Sequence, residues 1–480
     1  MAKMLNVTNP VNGELVQAIP YVTEAEMQAM MEKAKAAKAT WAKTPMWQRT
    51  RLMYQIIDKI IENTKEVATL LSTEMGKPIA QALSETGGSA NIARGFVEHA
   101  NHIYGQVLPC DNQPNFENDF IFTRREPLGI ITCIIPFNYP IELYVHKVVP
   151  AVMMGNVVIV KAPSDNPLAM LKLSKIFEEI LPEGVVQSLV CERNISDQYL
   201  VQNKDIAAIS LTGSTATGVK MAEGGADTLK HLFLELGGND GNIIRADADL
   251  DYAVSEMIGG RIFNAGQTCC ACKRFIVHKS IMDALADKLV TALKALKIGD
   301  ALDPTVDMST VISEKAAIEV EEEIQYTLKQ GGELLYGGDR KGAFITPTVI
   351  KNVPKTADVA SNLEIFGPVF PLIPFETDEE ALEILNNCDN GLSSGIITKD
   401  LKTAMKMACE IKSGACVLNG QSSYRHMEQA FGGYKMTGIG REGISTTLEE
   451  HSQLKSYIIK GAFNFETMPD IIASELTGGN

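Results

Sequence analysis

Ile130-Ile-Thr-Cys-Ile-Ile135 is the first of several short β-branched runs that decide the fold class, and Asn156-Val-Val-Ile-Val160 and Ala207-Ala-Ile-Ser-Leu211 follow it along the chain. Segments in which apolar residues recur at helical spacing separate these runs. An alternation of strand, helix and strand is typical of a parallel sheet with crossover helices. The chain is therefore predicted to be an α/β protein.

The same alternation begins again after about residue 238. A strand is predicted at residues 242–244, a helix at 252–263, a strand at 274–278 and a long helix at 281–296, and the pattern continues to about residue 443. Because 480 residues are more than one hydrophobic core usually supports, we expect two or three domains.

Two further regions lie outside these α/β blocks. Apolar residues recur at helical spacing from residue 23 to about 63 and again from 64 to about 104, so the first quarter of the chain is predicted to be helical. Residues 109–125 end in an alternating pattern, and residues 453–460 read as an isolated strand. These two strands could pair into a small lobe, and such an edge commonly mediates contact between subunits.

The composition excludes several classes of function. The chain is 45% apolar and 21% charged, and its formal net charge is −15 at pH 7. This balance is that of a globular protein and repels nucleic acid and anionic membranes, so neither is expected as a partner. There is no apolar secretory core near the amino terminus, and the nine cysteines do not form a paired disulfide framework. A cytoplasmic location is expected.

The strongest local signal is the segment Asn264-Ala-Gly-Gln-Thr-Cys-Cys-Ala-Cys-Lys-Arg274. Cys269 follows a turn that contains glycine and precedes a predicted strand, where a thiol can face a cleft as a nucleophile. The alternative is that Cys269, Cys270 and Cys272 are small core residues or half of a zinc site. A structural zinc site needs four ligands, and neither a nearby histidine nor a second Cys-x-x-Cys completes it, so no metal is expected.

A candidate general base lies in the segment His231-Leu-Phe-Leu-Glu-Leu-Gly-Gly-Asn-Asp240. Glu235 stands among apolar residues at the end of a predicted strand, before a Gly-Gly turn. Burial there would raise the pKa of this carboxyl toward neutrality, as a general base requires. The alternative is a structural carboxylate whose hydrogen bonds are satisfied.

Together these segments resemble the aldehyde dehydrogenase superfamily, because Cys269 follows Glu235 by 34 positions and other motifs of that family occur in its order. The resemblance covers nearly the whole chain. The matching motifs are Pro136-Phe-Asn-Tyr-Pro140, Thr212-Gly-Ser-Thr-Ala-Thr-Gly218, Leu234-Glu-Leu-Gly-Gly238, Gly266-Gln-Thr-Cys269, Glu364-Ile-Phe-Gly-Pro-Val369, Phe431-Gly-Gly-Tyr-Lys435 and Gly438-Ile-Gly-Arg-Glu442.

The resemblance implies a role for each reacting group. The Asn138 side chain and the Cys269 backbone N–H would form an oxyanion hole for a thiohemiacetal on Cys269. A hydride then passes to a nicotinamide cofactor, and Glu235 activates the water that hydrolyses the resulting thioester. Glu364 is similar to the residue that holds the nicotinamide ribose, and Phe137 and Phe366 belong to the same cofactor-binding segments.

The resemblance also bears on the choice of cofactor. Lys161 matches the family's lysine at the adenosine ribose, and Ser164 stands where NAD-specific members usually carry glutamate. A glutamate there repels a 2′-phosphate, so serine beside lysine favours NADP over NAD, although Asp165 works against this preference. Gly213 and Ser214 resemble the family's turn against the pyrophosphate, near a helix N-terminus.

Four residues resemble positions along the family's aldehyde tunnel: Arg94, His146, Thr268 and Arg425. The arginines are candidates for binding an anion, as in members that act on lactaldehyde, glyceraldehyde 3-phosphate or phosphonoacetaldehyde. The expected substrate is a small polar or anionic aldehyde, such as lactaldehyde, a semialdehyde or a phosphorylated aldehyde. Each arginine could equally be a solvated surface residue.

The family's architecture implies a cofactor domain with a modified Rossmann fold (residues 1–111 and 128–236), an α/β catalytic domain (237–443) and an oligomerisation lobe (112–127 and 453–463) that joins subunits into a dimer or tetramer. Two alternatives remain open: a member in which CoA resolves the thioester, and a catalytically silent member. A third open question is whether a disulfide from Cys269 to Cys270 or Cys272 regulates the thiolate.

Overall fold

The computed structural model describes residues 3–464 and contains thirteen α-helices in that range. Within the described range, no helix is both long enough and apolar enough to cross a bilayer. The sixth helix continues into a π turn, Ser196–Val201. The helices are α1 Glu24–Trp41, α2 Met46–Met75, α3 Ile79–Ala100, α4 Pro140–Met153, α5 Leu168–Ile180, α6 Arg193–Ile195, α7 Thr215–Gly225, α8 Leu250–Ile262, α9 Met282–Lys294, α10 Glu314–Lys329, α11 Asp378–Asn386, α12 Leu401–Glu410 and α13 Ile444–Glu450.

The strands form one six-stranded sheet, one seven-stranded sheet, one three-stranded sheet and three two-stranded ribbons. In chain order they are β1 Met4–Thr8, β2 Leu15–Pro20, β3 Val107–Leu108, β4 Phe120–Pro127, β5 Ile130–Ile134, β6 Val157–Lys161, β7 Val186–Leu189, β8 Ile206–Thr212, β9 His231–Glu235, β10 Gly241–Ile244, β11 Arg274–His278, β12 Glu333–Tyr336, β13 Arg340–Lys341, β14 Phe344–Ile345, β15 Thr348–Lys351, β16 Val369–Phe375, β17 Asn390–Gly391, β18 Ser394–Ile397, β19 Val417–Leu418, β20 Tyr434–Lys435, β21 Gly438–Ile439 and β22 Ser452–Ile459.

The six-stranded sheet has the order β21-β9-β8-β5-β6-β7, and all of its pairs are parallel except β21 with β9. From β5 the chain adds β6 and β7 on one side of the sheet and then β8 and β9 on the other, so the direction of strand addition changes between β5 and β8. Such a switch point, at the carboxyl ends of parallel strands, is where ligands bind to open α/β sheets. The segments that follow β5 and β8 carry Phe137 and Gly213, so these two predicted cofactor residues meet at this edge.

The seven-stranded sheet has the order β12-β15-β16-β11-β10-β18-β19 and is parallel apart from β12. Its central strands are almost entirely buried, as expected for a sheet covered on both faces. The predicted strand at residues 274–278 is confirmed as β11, and the segment of Cys269 leads directly into it.

The predicted pairing of two distant strands is also confirmed. β4 and β22 pair antiparallel over their full length, from Phe120 with Ile459 to Pro127 with Ser452. The short strand β3 adds to the other edge of β4, which the sequence pattern did not predict. Apolar side chains such as Val107, Leu454 and Ile458 remain exposed on this small sheet.

The helical first quarter is confirmed as α1, α2 and α3, and α2 continues to Met75 through residues 63 and 64, where the two helical regions were divided. Asn63 and Thr64 return side-chain hydrogen bonds to the carbonyls of Lys59 and Ile60, which lets polar residues continue the helix. Gly76, at a φ of 78°, ends α2 in a left-handed conformation. The chain also begins with an unpredicted hairpin of β1 and β2.

Two buried apolar clusters support these sheets. One extends from Met27 to Leu236 and recruits Ile444 and Leu448 of α13. The other lies between Ile243 and Ile411. The chain passes from the first cluster to the second between Leu236 and Ile243, just after Glu235, so the carboxyl end of β9 lies where the two clusters adjoin in sequence.

Candidate active site

Two cavities meet at Cys269 and Asn138, which line both. The larger, about 470 Å³, is bordered by α3, α4, α8 and the loop of residues 421–431, and we call it the substrate cavity. The smaller, about 310 Å³, lies at the carboxyl edge of the six-stranded sheet and is the cofactor cavity. Of these two cavities, Glu235 lines the cofactor cavity. The three predicted reacting residues are therefore brought together from segments far apart in the chain.

A strained turn presents Cys269. Asn264, Ala265 and Gly266 all have positive φ angles, of 52°, 52° and 80°. For the two non-glycine residues this conformation costs of the order of 1–2 kcal/mol each. The Gln267 side chain stabilises the turn by donating to the carbonyl oxygen of Asn264 at 3.0 Å and accepting from the Ile312 N–H at 2.8 Å. The predicted glycine turn is thus tighter than its sequence indicated.

The thiol of Cys269 is half-buried at the meeting point of the cavities. Its hydrogen bond with the Cys270 thiol, together with burial, raises the pKa of Cys269, and the charges of Lys273 and Arg425 oppose the rise. The resting residue is therefore a thiol from which a base must take the proton before it can act as a nucleophile.

Lys273 connects the nucleophile to the cofactor cavity. Its buried ammonium group donates to the carbonyl oxygen of Cys269 and, at 2.6 Å, to that of Gly238. It also pairs with the Glu364 carboxylate at 3.1 Å. Lys273 therefore contacts both the backbone of Cys269 and the side chain of Glu364, and fixes their positions relative to each other.

The two neighbouring thiols differ in their surroundings. Cys270 lies beside Cys269, Leu392 and Phe431 and lines the substrate cavity. Cys272 is fully buried in the core of the seven-stranded sheet, and its thiol lies 3.9 Å from the carbonyl oxygen of Arg274. All three cysteines are free. Of the two, Cys270 is thus the thiol that shares the surroundings of Cys269.

Glu235 ends β9 with its carboxyl group buried, and neither carboxylate oxygen has a hydrogen-bond partner. Burial raises the pKa of Glu235 well above its usual range, and negative charge on Cys269 and Glu442 adds to the rise. Buried carboxylates are normally hydrogen-bonded in proteins, so an unpartnered one beside a cavity is suited to accept a proton. The satisfied structural carboxylate considered above does not match this geometry.

Asn138 is held by its backbone. Its carbonyl oxygen accepts from the Lys77 ammonium at 2.8 Å and from the Asn264 side chain at 3.1 Å. Lys77 forms a fully buried ion pair with Glu85, whose other carboxylate oxygen accepts from the Ile141 N–H at the start of α4. The Asn138 side-chain amide is thereby left facing the cavities, where it can donate to developing negative charge.

The cofactor cavity suits a dinucleotide. Gly213 and Ser214 lead into α7, and Ser214 caps that helix by accepting from the Thr217 N–H, so the helix N-terminus faces the cavity as a phosphate site. A Cβ atom on Gly237 would lie 2.4 Å from a Glu364 carboxylate oxygen, so a larger residue there would displace the Glu364 side chain from its present position.

Aromatic side chains border the same cavity. Phe137 and Phe366 line it and contact each other edge to face, with ring centroids 5.9 Å apart. Lys161 ends β6 next to β5, and Ser164 follows three residues later. Lys161 and Ser164 are half-buried and lie at the carboxyl end of β6, outside the residues that line the cofactor cavity. Asp165, next to Ser164, is exposed.

Three of the four residues predicted along the aldehyde tunnel line the substrate cavity: His146, Thr268 and Arg425. The fourth, Arg94, is exposed on α3 and does not line the cavity. The residues of α3 that line it are Gly88, Asn91 and Ile92, so the lining ends before Arg94. Arg425 is therefore the arginine that faces the substrate cavity.

Comparison with known families agrees with this geometry. The family model for the aldehyde dehydrogenase family matches residues 1–457, almost the entire chain. The chain belongs to the aldehyde dehydrogenase family. The predicted family and fold are thereby confirmed, and this aldehyde dehydrogenase is an oxidoreductase that uses NAD(P) to oxidise aldehydes.

Relatives of this aldehyde dehydrogenase include enzymes with small substrates. It is 33% identical to the lactaldehyde dehydrogenase of Methanococcus aeolicus, covering 95% of this chain and 97% of that one. It is 32% identical to the 3-sulfolactaldehyde dehydrogenase of Priestia aryabhattai, covering 95% of each. The crystal structure of the glyceraldehyde-3-phosphate dehydrogenase GapN from Methanocaldococcus jannaschii, complexed with NADP, is 33% identical with a TM-score of 0.90, covering 96% and 99% of the two chains.

Sequence reasoning missed several charged residues around the site of this aldehyde dehydrogenase. Lys77 and Glu85 support Asn138 from the junction of α2 and α3, and no local pattern marks them as partners of a residue so distant. Lys273 could have been noticed as a cation four residues after the nucleophile, entering an apolar strand. Glu142 and Glu442, both close to Arg425, were also missed.

Proposed function

We propose that this enzyme oxidises a small polar aldehyde to the carboxylic acid, with water rather than CoA releasing the product. The observation that carries the proposal is the placement of Cys269, Asn138 and an unpartnered Glu235 around adjoining cavities. The relatives named for lactaldehyde, 3-sulfolactaldehyde and glyceraldehyde 3-phosphate support a short polar substrate.

The first step joins the aldehyde to the enzyme. Glu235 takes the proton of the Cys269 thiol, since both line the cofactor cavity and the raised pKa of the carboxyl makes it a competent acceptor. The thiolate attacks the carbonyl carbon, and the electron pair of the carbonyl bond moves to oxygen. The Asn138 side-chain amide and the Cys269 backbone N–H stabilise that oxyanion.

The second step converts the adduct to a thioester. When bound, the nicotinamide cofactor accepts the hydride from the tetrahedral carbon. Glu364 would hold the cofactor ribose, and Lys273, which pairs with Glu364 and donates to the Cys269 carbonyl oxygen, would fix that side chain relative to the backbone of Cys269. The oxyanion collapses to a carbonyl as the hydride leaves, so Cys269 retains the acyl group.

The third step releases the acid. Glu235 first releases the thiol proton to solvent and then takes a proton from a water molecule, which attacks the thioester carbon, and the Cys269 thiolate leaves. An enzyme that uses CoA has little need of this base, and the unpartnered carboxylate beside the nucleophile therefore favours hydrolysis.

Product analysis tests the proposed function directly. We expect the enzyme, given a short aldehyde and NADP without CoA, to form one equivalent of carboxylic acid for each equivalent of reduced cofactor, measured by absorbance and chromatography. Strict dependence on CoA would identify the acylating alternative. No oxidation of any aldehyde in a panel of neutral and anionic compounds would identify a catalytically silent member.

We propose further that NADP is preferred to NAD because Ser164 and Lys161 admit a 2′-phosphate at the end of β6. We expect Ser164→Glu to lower kcat/KM for NADP relative to NAD by about tenfold to a hundredfold, the effect of opposing a charged phosphate contact. Steady-state kinetics with both cofactors measure this ratio. The control is Ser164→Gln, because glutamine has the size of glutamate without its charge. This variant should shift the ratio less. An unchanged ratio in Ser164→Glu would contradict the assignment.

The small sheet of β3, β4 and β22 is proposed to join subunits into a dimer or tetramer. Its exposed apolar side chains, among them Leu454 and Ile458 on one face of β22, support this role because exposed apolar surface often marks a contact site. The strand edges of the sheet offer unpaired backbone groups to a second copy.

A further inference from the structure

Two opposite charges face each other across the substrate cavity. Glu142, in the first turn of α4, and Arg425, in the loop before Phe431, both line it, and the Arg425 guanidinium lies 4.0 Å from the Glu142 carboxylate. The two side chains retain 27% and 17% of their exposure. They are thus open to a ligand in the cavity as well as to each other.

Other contacts fix the position of Arg425. Its guanidinium lies over the Phe431 ring, 4.0 Å from the centroid. A second Arg425 nitrogen lies 3.8 Å from Glu442, but Glu442 is already paired with Lys147 at 2.7 Å, and that pair is almost completely buried. The Lys147–Glu442 pair is neutral as a unit. Burial raises the pKa of Glu142, and the positive charge of Arg425 opposes that rise, so Glu142 and Arg425 balance each other as a pair.

His146 does not alter this balance. Its ring lies 3.8 Å from Glu142 and 3.5 Å from Arg425. Burial, reinforced by the positive charge of Arg425, lowers the pKa of His146 to about 3, so the imidazole is neutral near pH 7. The far end of the substrate cavity therefore carries one positive and one negative side chain, with no net charge.

We propose, on the basis of the proposed function, that Glu142 is a specificity-determining residue that cancels the charge of Arg425 and selects neutral hydroxylated aldehydes over anionic ones. A substrate hydroxyl can donate to the Glu142 carboxylate and accept from the Arg425 guanidinium at the same time. A substrate carboxylate or phosphate in that place would be attracted by Arg425 but repelled by the negative charge of Glu142. The net charge of the protein, −15, adds to that repulsion. Without Glu142, the positive charge of Arg425 would predict a preference for anionic aldehydes.

The test compares three short aldehydes in the full-length enzyme. Lactaldehyde carries a neutral hydroxyl, propionaldehyde is its counterpart without the hydroxyl, and succinic semialdehyde carries one negative charge. We expect the wild type to have the highest kcat/KM for lactaldehyde. In Glu142→Gln, which keeps the shape and removes the charge, kcat/KM for succinic semialdehyde should rise at least tenfold relative to lactaldehyde, while the value for propionaldehyde stays within about threefold.

A matched control removes a negative charge elsewhere. Glu98 is exposed on α3, outside the residues that line the cavity, and Glu98→Gln should leave the ratio of the two kcat/KM values within twofold of the wild type. This variant separates a local effect in the cavity from a change in the overall charge of the protein.

Two results would overturn the inference while leaving the proposed function intact. One is a wild type that prefers succinic semialdehyde to lactaldehyde, which needs no variant to be measured. The other is a Glu142→Gln enzyme that still oxidises propionaldehyde but shows an unchanged ratio of anionic to hydroxylated substrate. Absence of turnover with all three aldehydes would instead overturn the proposed function, and the inference with it.

Discussion

Cys269→Ala is expected to abolish aldehyde oxidation, with kcat lowered by at least about 10⁴-fold. Alanine removes the sulfur that forms the bond to the carbonyl carbon, and the oxyanion hole of Asn138 then has no adduct to stabilise. The thiol of Cys270 lies next to it but cannot substitute, because the strained turn from Asn264 to Gly266 aims one side chain, that of Cys269, at both cavities.

The measurement is reduced-cofactor formation under saturating aldehyde, with thermal unfolding to show that the variant is folded. Cys409→Ala is a suitable control because Cys409 is an exposed cysteine on α12, remote in sequence from the site, and this variant should keep wild-type turnover. Full turnover in Cys269→Ala would refute the assignment of the nucleophile.

Glu235→Gln is expected to separate the two halves of the reaction. Steady-state kcat should fall by about 10²- to 10⁴-fold, the usual contribution of a general base. Hydride transfer still proceeds when the thiolate is formed at high pH, so rapid mixing there should show a burst of about one reduced cofactor per site. The acyl group then remains on Cys269, where intact-mass spectrometry detects the added mass.

The surroundings of Glu235 allow Glu235→Gln to remove the base with little other disturbance. Neither carboxylate oxygen of Glu235 has a hydrogen-bond partner to lose, and glutamine keeps the shape, so we expect little change in stability. Sustained wild-type turnover in Glu235→Gln would contradict the role of the base. Rescue of the stalled enzyme by CoA, with wild-type kinetics, would instead favour CoA as the natural acyl acceptor.

The pH dependence of the wild type follows from the same carboxyl group. Since burial raises the pKa of Glu235, the ionised base is lost at a higher pH than for an ordinary glutamate. Turnover limited by thioester hydrolysis should therefore fall as the pH decreases through that raised pKa.

Much of the fold was predictable because its elements depend on local patterns. The buried strands β5, β10 and β11 are short β-branched runs between helical segments, and this periodicity is visible without tertiary information. The end of α2 was not predictable in the same way. Asn63 and Thr64 read as a helix break, but their side chains found carbonyl partners within the helix.

The reacting groups were also recognisable from their neighbours in sequence. Cys269 follows a glycine turn, Glu235 ends an apolar strand, and the distance between them along the chain matches a known order of motifs. Each of these signals is carried by residues within a few positions of the group concerned. Local order was therefore enough to identify the family, which the comparison confirms, and to predict a nucleophile and a base.

Only the folded chain decided what surrounds those groups, because burial and Coulomb energies depend on distances in space that sequence separation does not reveal. Lys147 and Glu442 lie 295 positions apart and are paired at 2.7 Å. Arg94 and Arg425 were equivalent candidates by sequence, but Arg94 is exposed beyond the part of α3 that lines the cavity, and folding brings Arg425 to the cavity beside Glu142. The charge that the substrate meets is thus a property of the tertiary structure.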